Sequence, residues 1–223
     1  MRVAELYKKK RPVISMEFFP FRDDKTAESF NKTIDTLAPL DPDYLSVTFG
    51  AGGSTRDGSA QTINTIIKEK SLPCVAYIAG VGLGQDEICK VLDSYKAQGI
   101  ETIFVLRGDT PKESDFTPHP KSFAHASDLI AFIQSCYDFD LGCAGYPEGH
   151  VEATSLETDI EYLKLKVENG AQYVVTQYFY DNAYFFNYTT PTLVCYGTNY
   201  ASVFMISNFS TINVLNSSIY SSV

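Results

Sequence analysis

The sequence runs out of charge before it ends. None of its 18 basic and 27 acidic residues lies beyond Asp181, although the chain continues to Val223. A stretch of that length at average composition carries several charges. Residues 182–223 therefore read as a different kind of sequence from residues 1–181. They are rich in Asn, Ser, Thr and Tyr, and Val203-Phe204-Met205-Ile206 is too short to cross a bilayer. No part of the chain holds a run of about 18 apolar residues, so no membrane span is expected. The Lys and Arg near the N-terminus have no apolar segment behind them, and no secretory leader is expected. Basic clusters are also scarce. Lys8-Lys9-Lys10-Arg11 stands alone in a chain of net charge −9, which argues against nucleic acid as a partner. The five cysteines form no CxxC pair and no Cys/His cluster, and there are three histidines. That pattern reads as reduced thiols of a cytoplasmic protein with no metal site.

What is present is ordinary globular composition, 44% apolar and 20% charged. Short runs rich in Val, Ile, Phe, Tyr and Thr recur at intervals of roughly thirty residues, as buried strands do. They are Val13 to Phe19, Tyr44 to Phe49, Cys74 to Ala79, Thr102 to Leu106, Leu141 to Tyr146 and Tyr173 to Phe179. Helical patterns fill the gaps. Ala27 to Leu37 puts Phe30, Ile34 and Leu37 on one stripe, and Asp57 to Lys68 does so with Ile63, Ile66 and Ile67. Gln85 to Ala97 ends at Gly99, a suitable residue to follow a helix C-terminus. Phe123 to Tyr137 carries Leu129, Ile130 and Ile133, and Ser155 to Val167 opens on a capping Ser with an acidic first turn. Strand–helix alternation of this kind means parallel βα units with right-handed crossovers. An open doubly wound sheet and a barrel both satisfy it. Eight units of a barrel need about 250 residues, and this chain has room for fewer. The fold expected is an α/β (βα)8 TIM barrel left incomplete: six clear βα units plus an atypical tail, in which Thr192 to Tyr196 and Ala201 to Ile206 are the strand candidates.

In a barrel, function gathers where strands end. Glu17 sits inside Ile14-Ser15-Met16-Glu17-Phe18-Phe19-Pro20, where burial would raise its pKa and suit it to acid–base work, unless it lies at an edge or in a structural ion pair. Strand two leads into Thr48-Phe49-Gly50-Ala51-Gly52-Gly53-Ser54-Thr55, a flexible turn or a ligand loop but not a dinucleotide-binding fingerprint. Strand four ends in Arg107-Gly108-Asp109, whose charges bind a ligand or pair with each other. Strand five ends in Tyr146-Pro147-Glu148-Gly149-His150. Strand six ends in Thr176-Gln177-Tyr178-Phe179, where a Gln among aromatics needs hydrogen-bond partners from backbone or ligand.

These segments, together with Ala126-Ser127-Asp128-Leu129, occur in an order that closely resembles the 5,10-methylenetetrahydrofolate reductase family, in its short bacterial form, over about residues 10–187. The resemblance implies a barrel enzyme of one-carbon metabolism that holds FAD at the strand ends. It implies reduction of FAD by NADH or NADPH, followed by hydride transfer to methylenetetrahydrofolate in a ping-pong sequence that gives 5-methyltetrahydrofolate. Glu17 then matches the acid that protonates folate N10. Asp109 matches a residue between flavin and pterin, and Gln177 one that meets folate and nicotinamide in turn. For FAD the resemblance carries over Thr48, Arg107, Gly108, Asp109, His125, Ala126, Tyr146, His150, Ala153, Asp159 and Lys166.

Departures from the family pattern are visible. His125 stands where Tyr is common, Phe49 replaces a Tyr, and Val75-Ala76-Tyr77-Ile78 lacks the His of His-Leu-Thr-Cys. Tyr162 and Leu165 occupy places where polar FAD contacts are common. The chain accordingly divides into a reductase-like barrel over residues 1–187 and a charge-free tail over residues 188–223 that does not resemble the family's last two βα units. An alternative keeps the family but not the catalysis, as a truncated or frame-altered remnant. An unrelated barrel, such as an aldolase, is disfavoured because no strand carries an evident Schiff-base Lys. Small-molecule substrates are the expected partners. Membrane and nucleic acid are not, and a homo-oligomer is left open by the family's habits.

Overall fold

A computed structural model describes residues 1–9, 12–49, 53–109, 117–188 and 199–201, with side chains described except at 53–57 and 199–201. The elements follow in order as α1 (Val3–Lys9), β1 (Ser15–Phe18), α2 (Asp24–Leu37), β2 (Tyr44–Val47), α3 (Gly53–Asn64), β3 (Cys74–Ala79), α4 (Gln85–Ala97), β4 (Thr102–Leu106), α5 (Ala126–Cys136), β5 (Asp140–Gly145), α6 (Leu156–Glu168), β6 (Tyr173–Thr176), a helix α7 over residues 182–188, and β7 (Asn199–Ala201). The strands pair in sequence order, every pair parallel. Among the described residues β1 pairs only with β2, so the sheet curls without closing. This is the incomplete α/β barrel expected. Of the tail strand candidates, Thr192 to Tyr196 and all of the second beyond Ala201 lie outside the described residues; Ala201 itself ends the three-residue β7, which pairs with β6. Residues 50–52 of the glycine-rich turn also lie outside them.

Local chemistry sets the elements. Asp23 caps α2, its carboxylate accepting from Thr26 N at 2.8 Å, and the helix then buries Phe30 and Ile34 at the expected spacing. Ser155 caps α6 as its sequence suggests, accepting from Thr158 N. Gly99 follows α4 with φ +85°, the left-handed conformation that glycine tolerates best. α3 begins four residues before the sequence pattern does and ends in a widened turn, Thr65–Glu69, closed by Lys70 N donating to Thr65 O. Helices α1 and α7 carry too short an apolar pattern to announce themselves.

Alternation along the strands makes two cores. Leu45, Val47, Ile78, Ile103, Val105, Leu141 and Cys143 face the helices and pack on Ile34, Ile66, Ile88, Leu92, Leu129 and Leu163. Tyr44, Val75, Tyr77, Phe104 and Tyr173 face the lumen and pack on Val3 and Tyr7 of α1. That helix plugs the end of the lumen where the strands begin. Val3 N donates to Thr102 Oγ1 and Ala4 N to Asp140 Oδ2, the latter at 2.8 Å. Plugging one end leaves the other, at the strand C-termini, as the open mouth. The described cysteines are all free thiols.

Candidate functional site

The open mouth holds a cavity of about 510 Å³. It lies where β4, β5 and β6 end, and its wall includes Arg107, Gly108, Asp109, Tyr146, His150 and Gln177. These six come from three separate strand ends, and all six were expected on the sequence. The lining also includes Glu148, Val151 and Tyr178, which carried no expected role.

Each wall residue is held by its neighbours. Gly108 has φ +86°, and a Cβ there would lie 2.7 Å from Val81 Cγ1, so the chain passes over the β3 loop only without a side chain. Arg107 Nη1 is 2.5 Å from a Glu152 carboxylate oxygen; its partner is thus Glu152 on the β5–α6 loop rather than Asp109. That hydrogen bond raises the Arg107 pKa, and the guanidinium holds the Glu152 carboxyl below the usual range. Tyr146 N donates to the Tyr188 hydroxyl at 3.0 Å. The Tyr146 ring meets the His150 ring edge-on, 4.6 Å between centroids. Burial pushes the Tyr146 phenol upward, so it stays protonated and polar. Gln177 is exposed rather than enclosed. Its backbone N–H donates to Gly145 O at 2.7 Å and its side-chain Oε1 accepts from Tyr178 N.

The remaining expected residues support the wall or lie apart from it. Asp159 is buried and accepts from His150 N; burial raises its pKa, partly offset by Lys166. Ala153 N donates to His150 O at 2.9 Å. Lys166 Nζ donates to Ala144 O at 3.0 Å and lies 5.9 Å from the Tyr146 ring centroid. These three therefore shape the His150 loop and the floor behind Tyr146. His125 and Ala126 start α5, with the His125 ring stacked on Tyr162, and Thr48 follows β2 with its N–H donating to Phe18 O. None of the three lines the cavity.

Glu17 corrects an expectation. It points into the lumen, its neighbours Met16 and Phe18 packing on the helix side, but it is exposed rather than buried in an apolar wall. The reason is topological: β1 has one strand neighbour among the described residues, and water reaches the lumen beside it. Its carboxylate accepts a hydrogen bond from the Tyr77 hydroxyl. Sequence reasoning missed three supports: Tyr77, Glu152 and Tyr188. The first two gave no signal, since partners across strands and loops have no fixed spacing. Tyr188 was assigned to the tail, yet it is buried against Gly145 at the edge of the site.

With this geometry in view, a family model described as methylenetetrahydrofolate reductase matches residues 2–219. The chain belongs to the methylenetetrahydrofolate reductase family. The match extends beyond residue 187, the limit expected from the motifs. Similar curated proteins include the 5,10-methylenetetrahydrofolate reductases of Escherichia coli strain K12, 36% identical over 168 residues, and Pectobacterium carotovorum, 34% identical over 168 residues. Each alignment covers 75% of this chain and 55% of the relative, so the chain spans about half the length of these proteins. A Schizosaccharomyces pombe enzyme, methylenetetrahydrofolate reductase 1, is 32% identical over 176 residues, 78% of this chain and 29% of its own.

Among solved structures, the backbone is similar to a putative lyase/mutase from Burkholderia cenocepacia J2315, with TM-score 0.62 and 16% identity over 94% of this chain and 75% of that one. It is also similar to an uncharacterized Clostridium thermocellum protein that binds two copies of 5-methyl-5,6,7,8-tetrahydrofolic acid, with TM-score 0.58 and 17% identity over 86% of this chain and 63% of that one. At such identities these likenesses show the fold alone. Membership of the reductase family sets aside the unrelated-barrel reading. Among the described residues no helix is long and apolar enough to cross a membrane, and no group of three or more metal-ligating side chains occurs.

Proposed function

We propose that this chain carries the flavin and folate site of a cytoplasmic reductase that converts 5,10-methylenetetrahydrofolate to 5-methyltetrahydrofolate with NADH or NADPH. The observation that carries it is the convergence of Arg107, Asp109, Tyr146, His150 and Gln177 on one cavity in a member of this family. The residues fit FAD. The volume of about 510 Å³ lies within the roughly 300–1,000 Å³ of small-molecule clefts. Half-buried Tyr146 offers a flat face with a polar tip, and Lys166 adds a cation behind it. Arg107 suits an anionic group, since Glu152 already occupies it as an anion. That pair is partly exposed, and such surface pairs are worth only about 0–1 kcal/mol, so a phosphate displaces Glu152 at little cost.

FAD, when bound, supplies a carrier that accepts a hydride from the nicotinamide and gives it to the folate methylene. Every other step falls to the protein. Asp109, exposed at the rim, sets a negative charge where the folate becomes cationic as its ring opens. Gln177 offers an amide donor and acceptor to folate or nicotinamide in turn. Glu17 delivers the proton to folate N10, and a ligand lying over it excludes the water that its exposed position admits.

The purified chain tests this directly. Bound yellow flavin and NADH–menadione oxidoreductase activity are expected, with folate turnover abolished by Glu17→Gln and flavin retained. A colourless chain that takes up no added FAD refutes the proposal. The non-catalytic reading is favoured by one observation, the exposure of Glu17 on β1, which among the described residues pairs only with β2, and its outcome is flavin binding without folate turnover.

A further inference from the structure

The lumen contains a hydrogen bond at a position where the chain departs from the family pattern. Tyr77 is buried, its ring packs on Phe104 at 4.6 Å between centroids, and its hydroxyl donates to Glu17 Oε2. Yet β1 and β3 are not neighbours, because β2 runs between them. Adjacent strands lie about 4.8 Å apart, so side chains on β1 and β3 meet only when a long one passes over a short one on β2. That short residue is Ser46, in register with Glu17 on one side and Val75 on the other. It is buried, and its small side chain leaves room for Tyr77 to pass. The three residues form one contiguous set across three strands.

We propose that Tyr77 is the positioning residue for Glu17: reaching over Ser46, its hydroxyl fixes Oε2 and leaves Oε1 as the oxygen that carries the transferable proton. The inference deepens the acid role proposed above and rests on it. Burial, and then the neighbouring carboxylate, raise the phenol's pKa well above its ordinary value, so Tyr77 remains a donor wherever the enzyme works. A carboxyl oxygen that accepts such a bond keeps its carbonyl character, and the acid proton resides on the other oxygen. In the step itself the O–H bond at Oε1 breaks and an N–H bond forms at the substrate amine. Tyr77 keeps its own proton and no electrons change hands. An exposed carboxylate on an edge strand otherwise samples several rotamers, and holding it in one is worth rate through orientation.

The test uses the full chain with ¹³C-labelled glutamate carboxyls, the Glu17 resonance being identified by its loss in Glu17→Gln. Tyr77→Phe, which keeps the ring and removes the hydroxyl, is expected to move that resonance, whereas Tyr44→Phe in the same lumen leaves it in place. Turnover is expected to fall at least about tenfold with KM held within about twofold, a part of the roughly 10²–10⁴-fold contributed by general acids. The pH profile of turnover moves as well, which loss of packing alone does not cause. Ser46→Val keeps the Tyr77 hydroxyl but fills the gap; it is expected to move the resonance as Tyr77→Phe does, and decides the matter if Tyr77→Phe does not fold. An unmoved Glu17 resonance in these variants overturns the proposal, and so does unchanged turnover in an active chain. A moved resonance in a chain that never turns over folate leaves the Tyr77–Glu17 contact standing and removes the acid reading instead.

Discussion

Asp140 offers the sharpest test of how the lumen is sealed. It is buried at the start of β5, and its carboxylate accepts from Ala4 N at 2.8 Å, tying down the first turn of α1. Asp140→Ala removes that acceptor and leaves a buried N–H unsatisfied, at a cost of about 1–3 kcal/mol. Asp140→Asn keeps an acceptor oxygen of the same shape and removes the charge, so its effect stays within about 1 kcal/mol of the wild type. The two variants separate an acceptor role from a charge role. Burial also raises the Asp140 pKa, against the opposing pull of the bond it accepts from Ala4 N. The folded chain therefore holds this proton at pH values where an unfolded Asp has released it. The contribution of Asp140 to stability is greatest below the ordinary carboxylate range and declines as pH rises through the interval up to the raised folded value. Asp140→Asn removes that slope. Urea unfolding followed by circular dichroism, repeated across mildly acidic to neutral pH, measures both effects. Equal destabilisation by Ala and Asn, or no loss beyond about 0.5 kcal/mol in Asp140→Ala, refutes the reasoning.

Two further outcomes follow from single contacts. A Cβ at Gly142 would lie 2.2 Å from Tyr173 Cζ in the lumen, and Tyr173 is itself fully enclosed. Gly142→Ala is expected to destabilise by about 1–3 kcal/mol through overpacking, with Tyr173→Leu recovering part of the loss in the double variant; urea titration reads both. Tyr188→Phe takes away the hydroxyl that accepts from Tyr146 N at 3.0 Å. It is expected to cost about 1–3 kcal/mol and to weaken flavin binding, measured by fluorescence titration, and unchanged binding would show that Tyr146 is held by other contacts.

The strand–helix repeat was legible because each strand is an apolar run bounded by turn residues and each helix carries its own buried stripe. Cys74–Ala79, Gln85–Ala97 and Thr102–Leu106 follow the sequence pattern residue for residue. The family was legible for a related reason: Arg107-Gly108-Asp109 and Tyr146 to His150 are contiguous motifs at strand ends, and the barrel carries strand ends to one place. By itself, then, the sequence determined the parallel βα architecture and six residues of the cavity wall. Tertiary structure alone decided who holds whom. Arg107 takes Glu152 from a loop far along the chain, Tyr188 reaches back to Tyr146, and Tyr77 crosses β2 to Glu17. It also decided that Glu17 meets water, because burial of a strand residue depends on whether another strand lies beside it, and that is a property of the closed or open sheet rather than of the residues around position 17.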